Sequence, residues 1–310
     1  MTVTIQDLSI RYGSIVAVDS ISVEFPSGAV GLLGRNGAGK SSILKSLLGL
    51  VEPAAGSMQV LDLPVDANPI SVRQVVGYMP EREAHIPHLN GYETVRLAAR
   101  LSGLPPRMAA RRAHEVLYFA GLDEQRYRPV SGYSAGMKQK VKLATALAHD
   151  PQILFLDEPT NGLDPKARRE MLRLITELST GFGKSVILSS HILSDVEEVC
   201  EHVVLMEQGK VLASDSVAEL TRHDTRMVHL GLTGQIDASR TALEQLAGCP
   251  VAEEAPGRLL VTVPADLPSA RIYAAVRAGG AQVREFREHR RSLEDVFLDA
   301  VRLSGSGDAP

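Results

Sequence analysis

Two hydrophobic periods run along this chain and divide it into strands and helices. Val3 to Ile10 alternates apolar and polar residues, as do Ile21, Val23 and Phe25, and both stretches predict strands. Pro26-Ser27-Gly28 predicts a turn into an unbroken apolar run, Val30 to Leu33, which reads as a buried strand. Ile43, Leu44, Leu47 and Leu48 then recur at helical spacing. Ser57 to Leu61 and Val75 to Met79 predict two short strands, the second stopped by Pro80. From Tyr92 to about Ala120 the period is helical, with a break at Gly103-Leu104-Pro105-Pro106. Helix 137–148, strand Ile153 to Leu156, helix 166–179 and strand Val186 to Leu188 follow. Val203 to Met206 is joined to Val211-Leu212 by a Gln208-Gly209 turn. Strands alternating with helices predict an α/β fold with a mostly parallel, doubly wound sheet, preceded by an antiparallel β layer.

Past about Arg222 the order becomes strand, helix, hairpin, helix, strand. Its pieces are Met227 to Leu232, 238–247, Val251 to Val263 turning at Pro256-Gly257, 268–278 and Gln282 to Phe286. That order predicts a small ferredoxin-like α+β module, closed by a helix over 292–303. The expected division is therefore a nucleotide-binding domain over 1–222, with a helical subdomain at about 83–150. A small α+β accessory domain over 223–303 and a polar, disordered tail over 304–310 complete it.

Composition narrows the class. The chain has 310 residues, 44% of them hydrophobic and 23% charged, enough apolar material for the cores of one large or two modest globular domains. Its net charge of −4 argues against nucleic acid as a partner, which usually meets a basic surplus. No apolar run approaches the ~20 residues that cross a bilayer, and the N-terminus has no signal-peptide core. Two cysteines, Cys200 and Cys249, are read as reduced thiols of a cytosolic protein.

The chemistry begins at Gly34-Arg35-Asn36-Gly37-Ala38-Gly39-Lys40-Ser41-Ser42, which fits G-x-x-x-x-G-K-[ST] between a buried strand and a helix. Glycines let backbone N–H groups converge on phosphate oxygens, and the helix N-terminus adds partial positive charge. Lys40 would reach the β- and γ-phosphates, and the Ser41 hydroxyl would help hold Mg²⁺. Ile153 to Leu156 delivers Asp157 and Glu158 at a strand's C-terminal end, where such sheets bind ligands. Asp157 is placed to organise Mg²⁺, and Glu158 to polarise an attacking water as general base. A third element, Tyr133-Ser134-Ala135-Gly136-Met137, is a small-residue turn opening a helix.

In this order and setting, Tyr133 to Met137 resembles the L-S-G-G-Q signature of ATP-binding cassette ATPases, and the likeness covers roughly residues 2–220. Tyr133, Ala135 and Met137 depart from the signature, whereas Ser134 and Gly136 keep the residues that contact the γ-phosphate in that family. The resemblance implies further roles. Tyr12 matches the aromatic that stacks on adenine. Asn161-Gly162-Leu163-Asp164 matches the loop that crosses to the partner subunit, and His191 the switch histidine near the γ-phosphate. His149, near these motifs, is read as a surface loop residue. Glu81 follows Tyr78-Met79-Pro80 where the family usually has a glutamine that senses Mg²⁺ and the attacking water. A carboxylate there can still ligate the metal, but adds negative charge.

Membership would imply an ATPase subunit with ATP and Mg²⁺ as ligands. Two copies, expected to be identical, would sandwich two nucleotides, Ser134 and Gly136 of one closing the site of the other. With no membrane span of its own, such a subunit would work beneath multispanning permease subunits at the cytoplasmic face of the cell membrane. Arg291 to Leu298 resembles the ending of type-2 exporter ATPases for drugs, lipids or polysaccharides, and also reads as a helix capped by Ser292. The alternative is a cassette ATPase acting on DNA or ribosomes, which often carries coiled-coil insertions, zinc motifs or paired cassettes that are not evident here. A phosphate-loop GTPase or kinase is disfavoured by Tyr133 to Met137, Glu158 and His191 together.

Overall fold

The computed structural model describes residues 2–82, 86, 88–222, 225–289 and 292–305. The chain divides into two compact units, Met1–Val217 and Ala218–Asp299, with Ala300–Pro310 grouped with the first.

The first unit opens with β1 (Val3–Tyr12), β2 (Ile15–Phe25), β3 (Ala29–Gly34), α1 (Lys40–Leu47), β4 (Ala55–Val60) and β5 (Leu63–Pro64). It continues with α2 (Pro69–Val75), β6 (Val76–Met79), α3 (Gly91–Leu101), α4 (Pro106–Phe119), α5 (Ala135–Ala146) and β7 (Ile153–Asp157). Then come α6 (Pro165–Thr176), β8 (Ser185–Ser190), α7 (Leu193–Val199), β9 (His202–Glu207), β10 (Lys210–Ser216) and α8 (Val217–Leu220). An antiparallel sheet takes the order β2-β1-β4-β5, and a six-stranded sheet the order β10-β9-β3-β8-β7-β6. In the larger sheet only β10 runs antiparallel to its neighbour.

Every residue of β3 and β7 is buried, as the apolar runs require of strands covered on both faces. One core joins Val3, Ile5, Leu8 and Ile10 of the antiparallel sheet, Ile43, Leu44 and Leu47 of α1, and Leu32 and Phe155 of the parallel sheet. The three α1 side chains are fully buried, worth roughly 1.5–3 kcal/mol each. This packing fixes the first turn of α1, and so the phosphate loop, against the end of β3. Away from it, α3 packs on α4 and α5. The N-terminus of α3 is closed by a capping box in which Asn90 and Glu93 satisfy each other's backbone N–H groups.

The second unit runs β11 (Thr225–Gly234), α9 (Ile236–Ala247), β12 (Ala252–Ala255), β13 (Arg258–Pro264), α10 (Ser269–Ala278) and β14 (Ala281–His289). Its sheet order, β12-β13-β11-β14, is that of a ferredoxin-like module. Val228, Leu230 and Leu232 of β11 point to one face with Leu259, Val261 and Val263 of β13, where Leu243, Ile272 and Val276 of the two helices cover them.

Several boundaries differ from the sequence expectation. α2 was not expected, because a seven-residue helix with Val72 as its one buried residue carries too little periodicity, and it claims Val75 from the following strand. α7 is equally short and was missed for the same reason. α6 ends at Thr176 and passes into a π-turn over Glu177–Gly181. The last helix, α11 (Leu293–Gly305), runs through Ser304 and Gly305, which were assigned to the polar tail, because helical hydrogen bonding carries past the last apolar residue. The remainder of that tail, from 306, lies outside the described residues, as do 83–85 and 87 of the expected subdomain and Arg291 of the expected C-terminal motif. Ser292 accepts from Asp295 N at 3.3 Å while Asp295 accepts from Ser292 N at 2.9 Å, a reciprocal cap on α11. Both cysteines are free, and burial pushes the Cys200 thiol up to about 12.

Candidate active site

The parallel register levels three strand ends. Leu33 pairs with Ser190, and Ser189 pairs with Asp157, so the phosphate loop, the two acids and His191 emerge at one edge of the sheet. The loop itself needs glycine. Gly39, at φ 101°, caps α1 in the left-handed region, and a Cβ there would meet the Ala17 carbonyl at 2.5 Å. Arg35, Asn36 and Gly37 form the exposed tip, while Ala38 is buried beneath it.

Lys40 is 6% exposed and folds its amine back over the loop, donating to Gly34 O at 2.6 Å and Arg35 O at 3.3 Å. The same amine lies 3.4 Å from Glu158 Oε1. On its other oxygen, Glu158 meets His191 Nδ1 at 2.8 Å. Glu158 is thus a buried carboxylate held between a lysine and a histidine. Its backbone is in the left-handed region, at φ 49°, uncommon for a residue with a side chain.

Asp157 is organised separately. Its Oδ1 accepts from Ser41 Oγ at 3.0 Å and from Ser189 Oγ at 2.5 Å. Ser189 is a site residue that sequence reading missed. The available signal was a polar pair, Ser189-Ser190, closing an otherwise apolar strand. Tyr78, on β6 beside β7, was also missed. Its hydroxyl is buried near Asp157, and burial followed by the Asp157 charge pushes its pKa up.

The oxygen donors of Ser41 and Asp157 suit Mg²⁺, which binds through one or two protein oxygens plus substrate phosphates. No group of three or more His, Cys, Asp or Glu side chains able to hold a metal occurs among the described residues. Glu81 is not joined to that pair. Its Oε1 lies 3.4 Å from Asn161 Nδ2, and its carbonyl accepts from the buried Lys142 Nζ at 2.8 Å.

Tyr12 stands on the rim, 46% exposed, with its hydroxyl 3.4 Å from Ser42 Oγ. Ser134 and Gly136 are not brought to Lys40 within the chain. The Ser134 side chain caps α5 by accepting from Met137 N at 3.3 Å, and Gly136 lies against Ala167 at the start of α6. Tyr133 is anchored by its hydroxyl, which donates to Gln125 O at 2.5 Å, and burial raises its pKa. Asp164 caps α6, and the backbone N–H groups of Ala167 and Lys166 hold its carboxyl below the usual range. His149 corrects the surface reading: it is half-buried, its ring nitrogen 3.1 Å from Val76 O, because the loop after α5 turns back over β6.

A buried carboxylate beside a phosphate-loop lysine, with a serine–carboxylate pair whose oxygens suit a hard cation, is equipped to hydrolyse a nucleoside triphosphate. Comparison with known proteins agrees. The family described as "ABC transporter" matches residues 18–161. An uncharacterized ABC transporter ATP-binding protein of Bacillus subtilis, YxlF, is 32% identical over 96% of this chain and 99% of its own length. Nod factor export ATP-binding protein I of Rhizobium etli is 34% identical over 96% of this chain and 92% of its own. The solved structure of an ATP-binding subunit of an ABC transporter superposes with a TM-score of 0.64 at 30% identity, covering 72% of this chain and 92% of that one. The chain belongs to the ATP-binding subunits of ABC transporters.

Proposed function

We propose that this ATPase subunit drives export, working as a pair of identical chains beneath multispanning permease subunits at the cytoplasmic face of the cell membrane. Relatives named for export and similar along nearly their whole length support the direction. No helix among the described residues is long and apolar enough to cross a membrane, so the membrane path would be supplied by other chains. The separation of Ser134 and Gly136 from Lys40 within one chain supports a two-copy site.

Each residue then has a role. Tyr12 stacks on adenine, and Gly34 to Ser42 wrap the phosphates with Lys40 on the β- and γ-groups. Ser41 and Asp157 would hold Mg²⁺, with Glu81 as the further candidate ligand, and the ion would neutralise charge on the phosphates. Glu158 takes a proton from water as the water oxygen bonds to the γ-phosphorus. The bond from that phosphorus to the bridging oxygen breaks, and ADP leaves with the electron pair. His191 orients Glu158, Ser134 and Gly136 of a second copy cover the γ-phosphate, and Asp164 lies at the dimer contact.

The observation that carries this reading is the placement of Glu158 between Lys40 and His191. Glu158→Gln should lower kcat by about 10²–10⁴-fold while ATP still binds. Hydrolysis at the wild-type rate would remove Glu158 from the base role. Affinity capture from solubilised membranes should recover a permease, whereas recovery of ribosomes or DNA would favour the non-transport alternative.

A further inference from the structure

Asp195 is a buried carboxylate that the proposed chemistry does not use. It lies on α7, four residues after His191, and is 1% exposed. A carboxylate so far from water needs donors and an opposite charge to hold it. It has both: Thr160 Oγ1 donates to its Oδ2 at 2.6 Å, and Arg168 Nε to its Oδ1 at 2.5 Å. These two donors flank one segment. Thr160, itself buried, immediately precedes Asn161-Gly162-Leu163-Asp164, and Arg168 stands in the first turns of α6, the helix that Asp164 caps. Asn161, Gly162 and Asp164 are exposed, so a short surface loop hangs at both ends on a single buried acid. Arg168 adds a further tie to α7 by donating to Ser194 Oγ at 2.9 Å.

We propose that Asp195 is the positioning residue of this loop: by clamping both of its ends, it holds 161–164 in the shape that meets a second copy of the chain. The proposal rests on the reading of the loop as a dimer contact. Its physical basis is preorganisation. A loop left free must be ordered when the partner arrives, and that ordering weakens association. The bonds inside the loop constrain it less. Asn161 N meets Glu158 O at 3.2 Å, Leu163 N meets Thr160 O at 3.3 Å, and the Asn161 amide meets Glu81 at 3.4 Å. The bonds to Asp195 are shorter and charge-assisted, the stronger class. A symmetric pair of chains presents the loop twice, so loosening it acts on the dimer twice. The nucleotide-facing residues of the same chain, Lys40, Ser41 and Asp157, make none of these contacts and keep their own partners.

The test separates dimerisation from nucleotide binding. In a Glu158→Gln parent, chosen to stop turnover, sedimentation velocity gives the dimer dissociation constant at saturating ATP and Mg²⁺. Titration calorimetry with ADP reports the site of the single chain. Thr160→Val keeps the side-chain shape and removes the donor. It should weaken the dimer roughly 10-fold or more, with ADP affinity within about twofold of the parent. Thr160→Ser restores the donor and should dimerise within about threefold of the parent. Ile5→Val, in the core of the antiparallel sheet, controls for lost stability and should dimerise as the parent does. Should Thr160→Val fold poorly in urea titration, Arg168→Met cuts the other tie and should weaken the dimer likewise. A Thr160→Val or Arg168→Met dimer as tight as the parent's would overturn the proposal. So would a serine variant as weak as the valine one, an equal loss in Ile5→Val, or a matching loss of ADP affinity. A parent chain that stays monomeric at saturating ATP would overturn the two-copy reading, and this proposal with it.

Discussion

Replacing Asp195 by alanine should destabilise the first unit by roughly 3 kcal/mol, although the residue touches none of the proposed reacting groups. Asp195 is 1% exposed on α7. Its carboxylate accepts from Thr160 Oγ1 at 2.6 Å and from Arg168 Nε at 2.5 Å, tying the loop after Glu158 and the first turns of α6 to the helix after His191. Removing one partner of a fully buried ion pair costs about 3–5 kcal/mol. Arg168 is 31% exposed and keeps Ser194 Oγ at 2.9 Å, so its guanidinium can partly rehydrate and about 2 kcal/mol is the better figure for the pair. Thr160, 2% exposed, loses its acceptor and adds about 1 kcal/mol. For a unit of this size the sum corresponds to a fall in Tm of about 6–12 °C. The chain has no tryptophan, so far-UV circular dichroism during heating and urea titration is the suitable assay. Arg168→Met should cost less than Asp195→Ala, and the double variant less than the sum of the two. An Asp195→Ala protein within about 0.5 kcal/mol of wild type, or strict additivity with Arg168→Met, would refute the reasoning.

Three further outcomes are expected. Gly39→Ala would place its Cβ 2.5 Å from Ala17 O at φ 101°, so it should lose nucleotide binding and about 1–3 kcal/mol of stability, measured by calorimetry and urea unfolding; normal ATP binding would contradict the loop geometry. Tyr12→Ala should weaken ATP binding by about 5- to 150-fold, the worth of one base stack, whereas Tyr12→Phe should bind within about threefold of wild type, because the hydroxyl contact to Ser42 is long and exposed. Burial lowers the His149 pKa, so the unfolded chain takes up a proton as pH falls through about 6.5 while the folded chain does not. Stability should therefore decline from about pH 6.5 downward until the folded ring also protonates, and His149→Gln should flatten that part of the Tm–pH curve; an unchanged slope would show that other groups set it.

The parts of the site that could be read from the sequence are those built from contiguous residues. Gly34 to Ser42 carries its strand, turn and helix in one run, and Asp157 closes a strand whose five residues are all apolar until it. The two-period pattern also yielded the order of the longer elements in both units, because each of those strands and helix faces answers to a local spacing. What stayed hidden depends on register. Ser189 reaches Asp157 only because β7 and β8 pair with those residues opposite, and no property of the two segments alone sets that offset. The Asp195–Arg168–Thr160 network joins three segments that sequence spacing does not bring together. Lys142 reads as an ordinary polar position on a helix, and its burial follows from how α5 lies against the end of β6. His149 was misread because a histidine after a helix gives no sign that its loop turns inward.

Ser189 also explains how two neighbouring acids come to face different partners. Consecutive carboxylates at a strand end would ordinarily share one environment and repel each other. Here the backbone turns sharply between them: Glu158 adopts φ 49°, a conformation that costs about 1–3 kcal/mol for a residue with a Cβ. That turn is held from β8, since Glu158 N donates to Ser189 O at 3.1 Å. The hydroxyl of the same serine donates to Asp157 at 2.5 Å, so one fully buried residue anchors both acids by different atoms. The result is divergence. Asp157 faces Ser41, an oxygen pair that suits the proposed hard cation, and Glu158 faces Lys40 and His191, the setting of the proposed proton acceptor. The strain at Glu158 is thus the backbone cost of separating the proposed metal ligand from the proposed base, which the sequence sets side by side.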